Sequence, residues 1–205
     1  MIEELHYFAT PIYITKQPQF LDGVKAASAE KLKGKEANKI YPVKMSDSLI
    51  GEPSIDEFCK FIGETSWNIL AGQGYAMDGF HTTITELWCQ EHYQASSMEY
   101  HVHGNNYLVG FYFLETPENC PRAVIHDPRP GKVMMPLPEA DMSRATIAST
   151  MINFQPEPGM FMFAPAWLPH SFMRNESEQP FSFVHFNIAL IQNPDGACRP
   201  PVEIV

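Results

Sequence analysis

The chain has 205 residues, of which 44% are apolar, 12% aromatic and 19% charged. That composition supplies a packed core and excludes disorder along the whole length, and the size fits one domain or one domain with an appendage. The net charge is −10, and after residue 60 the only basic residues are Arg122, Arg129, Lys132, Arg144, Arg174 and Arg199, which excludes the clustered cations that a nucleic-acid surface needs.

No apolar run approaches the ~20 residues that span a bilayer, so no membrane partner is expected. The start, Met1-Ile-Glu-Glu-Leu-His6, lacks the basic and apolar parts of a signal peptide, and a cytoplasmic location is expected. Cys59, Cys89, Cys120 and Cys198 are scattered without a CxxC pair. That argues against a thiolate zinc site and for free thiols in a reducing compartment.

In chain order, Tyr7–Thr15 alternates and is rich in β-formers, so it reads as a strand, with Pro11 placing it at a sheet edge. Residues 24–39 read as a short polar helix, weakened by Gly34. A better helix opens at Ser54, where Glu57 completes a capping box. Phe58, Phe61, Ile62, Trp67 and Leu70 form its apolar face, and Gly72 and Gly74 end it. After residue 75 come eight short β runs, near 80–90, 97–103, 107–115, 121–127, 145–155, 159–164, 169–174 and 181–191. Short runs without intervening helices indicate an antiparallel sandwich or jelly roll. The proline-rich 128–143 reads as a long loop of the kind that often serves as a lid. The expected division is an N-terminal strand and helices over 1–75, a β core over 76–192, and an irregular tail over 193–205.

Three histidines carry the chemistry. His101 and His103 are two apart on an extended run, so their rings share a face. His170 follows Trp167-Leu-Pro169 at the start of another β run. Two ligands from one strand end and one from a distant strand leave open positions on one side of a metal, the arrangement of non-heme iron oxygenases. Neutral imidazoles suit iron, copper, nickel or zinc.

Trp88-(x12)-His101-Val-His103-(x6)-Gly110-Phe-Tyr-Phe-Leu-Glu-Thr-Pro117 resembles the core of a family of 2-oxoglutarate- and Fe(II)-dependent oxygenases found in bacteria and phages. So do Asp127-Pro-Arg129, Pro158-Gly-Met-Phe-Met-Phe-Ala-Pro-Ala-Trp-Leu-Pro-His170 and Phe186-Asn187, and Phe8-Ala-Thr-Pro-Ile-Tyr13 looks like its N-terminal strand. The likeness covers nearly the whole chain. It implies a mainly β (α+β) fold, a double-stranded β-helix with supporting N-terminal helices, related to prolyl hydroxylases. It also implies Fe(II) held by His101, His103 and His170, with 2-oxoglutarate chelating the iron. 2-Oxoglutarate and O2 would be consumed to give succinate, carbon dioxide and a hydroxylated substrate, either a small molecule or a peptidyl side chain. If phage-encoded, the protein would work in the host cytoplasm. Apolar edge strands leave pairing with a second copy open.

One position departs from the family. The arginine that meets the far carboxylate of 2-oxoglutarate falls at Phe181, which cannot form the bidentate pair that suits arginine to carboxylates. If 175–180 is a turn between paired strands whose numbers sum to 355, His170 faces His185 and Arg174 faces Phe181. Arg174 would then fill nearly the missing place. Arg129 is the other candidate cation. Tyr112, on the strand after the HxH pair, is expected to turn its hydroxyl toward the cosubstrate. His185 and Asn187 are expected just behind the metal ligands. Two competing readings stay open. A cupin-type metalloprotein fits the histidines locally, although Tyr107 and Leu108 stand where a cupin carries glutamate. A non-catalytic β-sandwich binding module fits the absence of arginine at 181.

Overall fold

The structure, a computed structural model, describes residues 2–5, 8–135 and 137–193. Ten strands and two α-helices follow the order β1 (Tyr13–Lys16), α1 (Leu21–Leu32), β2 (Val43–Met45), α2 (Asp56–Gly72), β3 (Phe80–His92), β4 (Met98–His101), β5 (Leu108–Glu115), β6 (Ala123–His126), β7 (Met151–Phe154), β8 (Met160–Pro165), β9 (His170–Phe172) and β10 (Phe181–Gln192). They form two antiparallel sheets, one of order β1-β8-β5-β10-β3-β2 and one of order β4-β9-β6-β7. This is the double-stranded β-helix expected, with α1 and α2 packed on the outer face of the larger sheet.

The sequence of β10 explains its central place. It is apolar on both faces because both faces are covered. Phe181, Phe183, His185 and Asn187 turn into the sandwich, while Val184, Phe186 and Ile188 turn to the helices. β5 does the same, with Val109, Phe111 and Phe113 inside and Tyr112 and Leu114 outside. Gly110 is needed there: a Cβ on it would stand 2.1 Å from the Phe186 ring. Gly159 has φ +77° against Pro18, a conformation open to glycine at no steric cost.

Several expected boundaries move. Tyr7, the expected start of the first strand, lies outside the described residues; the strand runs over Tyr13–Lys16 and is an edge strand as predicted. The first helix ends at Leu32 because Gly34 takes a left-handed turn (φ +73°). Ser54 does not cap the second helix. It lies inside a 3-10 turn, Pro53–Ile55, and its hydroxyl bonds Glu52 instead. The short strand β2 had no sequence signal. The loop between β6 and β7 runs from 127 to 150, longer than expected, with a 3-10 turn at Pro130–Met134. Cys59, Cys89 and Cys120 are free thiols. Cys198 and nearly all of the expected tail lie outside the described residues, and among those described no helix is long and apolar enough to cross a membrane.

One register expectation fails. β9 pairs with β4 and β6, and β10 pairs with β3 and β5, in the other sheet. The segment 173–180 is therefore a crossover between sheets. Asn175 anchors it: its side-chain amide donates to the His92 carbonyl, and its backbone bonds Ser96 and Ala95. Arg174 does not face Phe181. It is exposed in the crossover, whereas Phe181 is fully buried among Phe113, Phe172 and Phe183.

Candidate metal centre

His101 closes β4, His103 follows it, and His170 opens β9. β4 and β9 pair so that His101 lies directly opposite His170. The backbone amide of His103 donates to Ala166 across the β8–β9 turn, which ties the second imidazole to the same corner. Ring centroids are 5.0 Å apart for His101 and His103, 4.4 Å for His101 and His170, and 5.1 Å for His103 and His170.

The hydrogen bonds choose which nitrogen faces inward. His101 Nδ1 donates to the Glu99 carbonyl at 2.7 Å, and His170 Nδ1 to the Leu168 carbonyl at 2.9 Å. In both rings Nε2 is then the one with a free lone pair, the tautomer control usual for metal-binding histidines. His103 Nε2 stands 3.3 Å from His170 Nε2. Two nitrogens each ~2.1 Å from one ion stand about 3.0–3.4 Å apart when they subtend 90–110°. One ligand atom from each of the three rings lies within 4.8 Å of the others. Burial pushes the His103 and His170 rings down to about 4, aided by the neighbouring imidazoles. Near pH 7 they are neutral and able to ligate. These residues fit a metal ion.

Two further groups stand beside the triad. His185 is buried on β10, with its ring 4.9 Å from His103 and 4.7 Å from Trp88. Glu86, on β3, lies opposite Asn187 in the ladder, and the Asn187 amide donates to its carboxylate. Glu86 had not been singled out in the sequence. The signal was present: Glu86, Trp88, Gln90 and His92 alternate with Leu87 and Cys89, so one face of β3 carries polar groups into the sandwich.

A cavity of about 640 Å3 lies beside two neighbours of His170, and none of the three histidines lines it. Phe8, Ile12, Ile125, His126, Arg129 and Leu168 are among its walls. Ile125 is the ladder partner of His170, and Leu168 holds the His170 ring.

A model of the family named Putative 2OG-Fe(II) oxygenase matches residues 86–187. The chain belongs to this family. The segment matched in this oxygenase runs from Glu86 through the three histidines to Asn187. No curated protein sequence matches it. Among solved structures it is similar to a carbocyclase, SnoK, from nogalamycin biosynthesis (TM-score 0.63, 11% identity, 90% of this chain and 83% of that one). It is also similar to HygX from Streptomyces hygroscopicus with nickel and 2-oxoglutarate bound (0.58, 10%, 88% and 83%). A third is a prolyl-4-hydroxylase from Pseudomonas putida (0.57, 9%, 88% and 92%). At these identities the likeness shows the fold.

The family's cofactors are Fe(II) and 2-oxoglutarate, and the two fit this oxygenase unequally. Among the described residues no lysine or arginine is buried. Phe181, at which the resemblance expects the arginine, lies within a cluster of phenylalanines. Arg174 is exposed in the crossover that follows β9, away from the cluster. Arg129 lines the cavity, where its Nε and Nη2 donate to Asp127 and Nη1 is left over. Tyr112 faces the helices, with its hydroxyl donating to the Gln17 carbonyl at 2.9 Å, so it does not reach the triad. Its neighbour Phe111 takes the inward position, 5.5 Å from the His170 ring, because consecutive strand residues point to opposite faces. His185 is beside the triad as expected, although the pairing that brings it there is with Trp88 and Phe111. Asn187 reaches Glu86 rather than a histidine of the triad. Trp167, three residues before His170, is 56% exposed.

Proposed function

We propose that His101, His103 and His170 hold the Fe(II) of a 2-oxoglutarate-dependent hydroxylase. The observation that carries this reading is the convergence of three imidazoles, two of them fixed through Nδ1, on one metal-sized gap. Bound iron with 2-oxoglutarate supplies oxidative decarboxylation to succinate and insertion of an oxygen atom from O2 into a C–H bond. The chain's share is to orient the imidazoles and to keep them neutral by burial.

Arg129 is the better partner for the far carboxylate, since it borders the cavity lined by Ile125 and Leu168, two neighbours of His170, and keeps one guanidinium nitrogen uncommitted. The cavity's size suits a small molecule. A peptidyl side chain is the second substrate class, favoured by the likeness to a prolyl-4-hydroxylase. The reading treats residues 1–75 as a brace for one oxygenase core over 76–192 and places the protein in the cytoplasm.

Anaerobic addition of Fe(II) and 2-oxoglutarate tests it. A weak visible charge-transfer band is expected, and succinate should form once air is admitted with substrate. Folded, iron-loaded protein without the band would point instead to a metalloprotein that does not use 2-oxoglutarate.

A further inference from the structure

The polar face of β3 and β10 leaves three buried atoms unpaired around one spot. Trp88 Nε1, His185 Nε2 and Asn187 Oδ1 have no hydrogen-bond partner. Buried polar groups are rarely left without a partner, so the spot has room and donors for an occupant. His185 is 2% exposed. Its Nε2 stands 3.7 Å from Glu86 Oε2, too far for a hydrogen bond. Two donors at that spacing, each ~2.1 Å from a common ion, subtend about 120°. His103 completes the set, since one ligand atom from each of Glu86, His103 and His185 lies within 4.8 Å of the other two. Two imidazoles and one carboxylate are a facial donor set known for non-heme Fe(II), and imidazole suits other first-row ions as well. The Asn187 amide donates to that same oxygen, Glu86 Oε2, and so fixes its position, as outer partners of metal-binding carboxylates do. Asn187 Oδ1 and Trp88 Nε1 remain to bond water or ligand on the ion. The Glu86 side chain is 42% exposed, so the spot opens to solvent.

We propose that Glu86, His103 and His185 form a second seat for a divalent first-row metal ion, beside the three-histidine seat and sharing His103 with it. This goes beyond the oxygenase reading and needs only His103 from it. The shared imidazole couples the two seats, so an ion in one alters the ligands open to the other.

Co(II) is the probe, followed by its visible ligand-field absorption and by calorimetry on the full chain. The double substitution His101→Ala with His170→Ala removes the first seat. It should retain one Co(II) per chain, and adding Glu86→Gln should raise the dissociation constant tenfold or more. A folded double variant that takes up no Co(II), or takes it up regardless of Glu86, overturns the second seat and leaves a bridging water as occupant. If near-ultraviolet circular dichroism shows that the double variant fails to fold, Glu86→Gln alone decides. Its Co(II) spectrum or stoichiometry should differ from the native chain's, and identity in both overturns the proposal. Failure of the three-histidine reading looks different: Co(II) uptake by the native chain would then depend on Glu86 and not on His101 or His170.

Discussion

His103 Nε2 and His170 Nε2 stand 3.3 Å apart across 67 residues of chain. The His170 ring is held by the carbonyl of Leu168, two residues before it, so its aim is set by its own turn. His170→Ala is expected to abolish the Fe(II)–2-oxoglutarate band and to weaken Fe(II) binding by more than the 10–100-fold that loss of an outer partner costs. Anaerobic titration at the band maximum measures it.

Arg129 and Arg174 separate cleanly. Arg129→Ala should raise the KM for 2-oxoglutarate about 10–100-fold, the worth of a charged hydrogen bond of about 1.5–3 kcal/mol. Arg174→Ala should leave it unchanged, because Arg174 is exposed in the crossover. Succinate formation against cosubstrate concentration distinguishes them, and the opposite order would return the role to Arg174.

His92 gives the metal-free chain a pH dependence. The ring is fully buried, bonded to Gln90 and stacked on Phe183, and burial lowers it from 6.5 to about 4. The folded state thus disfavours the proton that the unfolded chain accepts. The stability due to the neutral ring is fully present above pH 6.5 and is lost as pH falls toward 4. From pH 7.5 to 5 the loss is about 2 kcal/mol from His92 alone. His103 and His170 add to it with the same sign while no metal is bound. Urea unfolding at the two pH values should show a difference about 2 kcal/mol smaller in His92→Gln.

Gly110→Ala should destabilise the chain by about 1–3 kcal/mol, the cost of overpacking a core. The new Cβ meets the ring of Phe186, which sits between the sheet and α2 and has little room to withdraw. Phe186→Leu should recover part of the loss, and the midpoints of urea unfolding test both.

The histidine triad was legible because it rests on local rules. Residues two apart on an extended run share a face, and a turn ending in Leu168-Pro169 positions the residue after it. Fold class was legible for a similar reason, since short apolar runs without helices between them leave few ways to bury both faces. Glu86 was missed because a half-exposed glutamate on a strand looks like any surface residue until its neighbour across the ladder is known.

What the sequence determined by itself was the candidate histidines, their order and the β architecture, all properties of spacing along one chain. Only the tertiary structure decided that β10 leaves β9 for the opposite sheet, which brings His185 to Glu86, buries Phe181 and leaves Arg174 exposed. The physical reason is that ladder hydrogen bonds join backbone to backbone and are blind to side-chain identity. Strand partners are chosen by which faces can be buried together, and that choice involves residues a hundred positions apart.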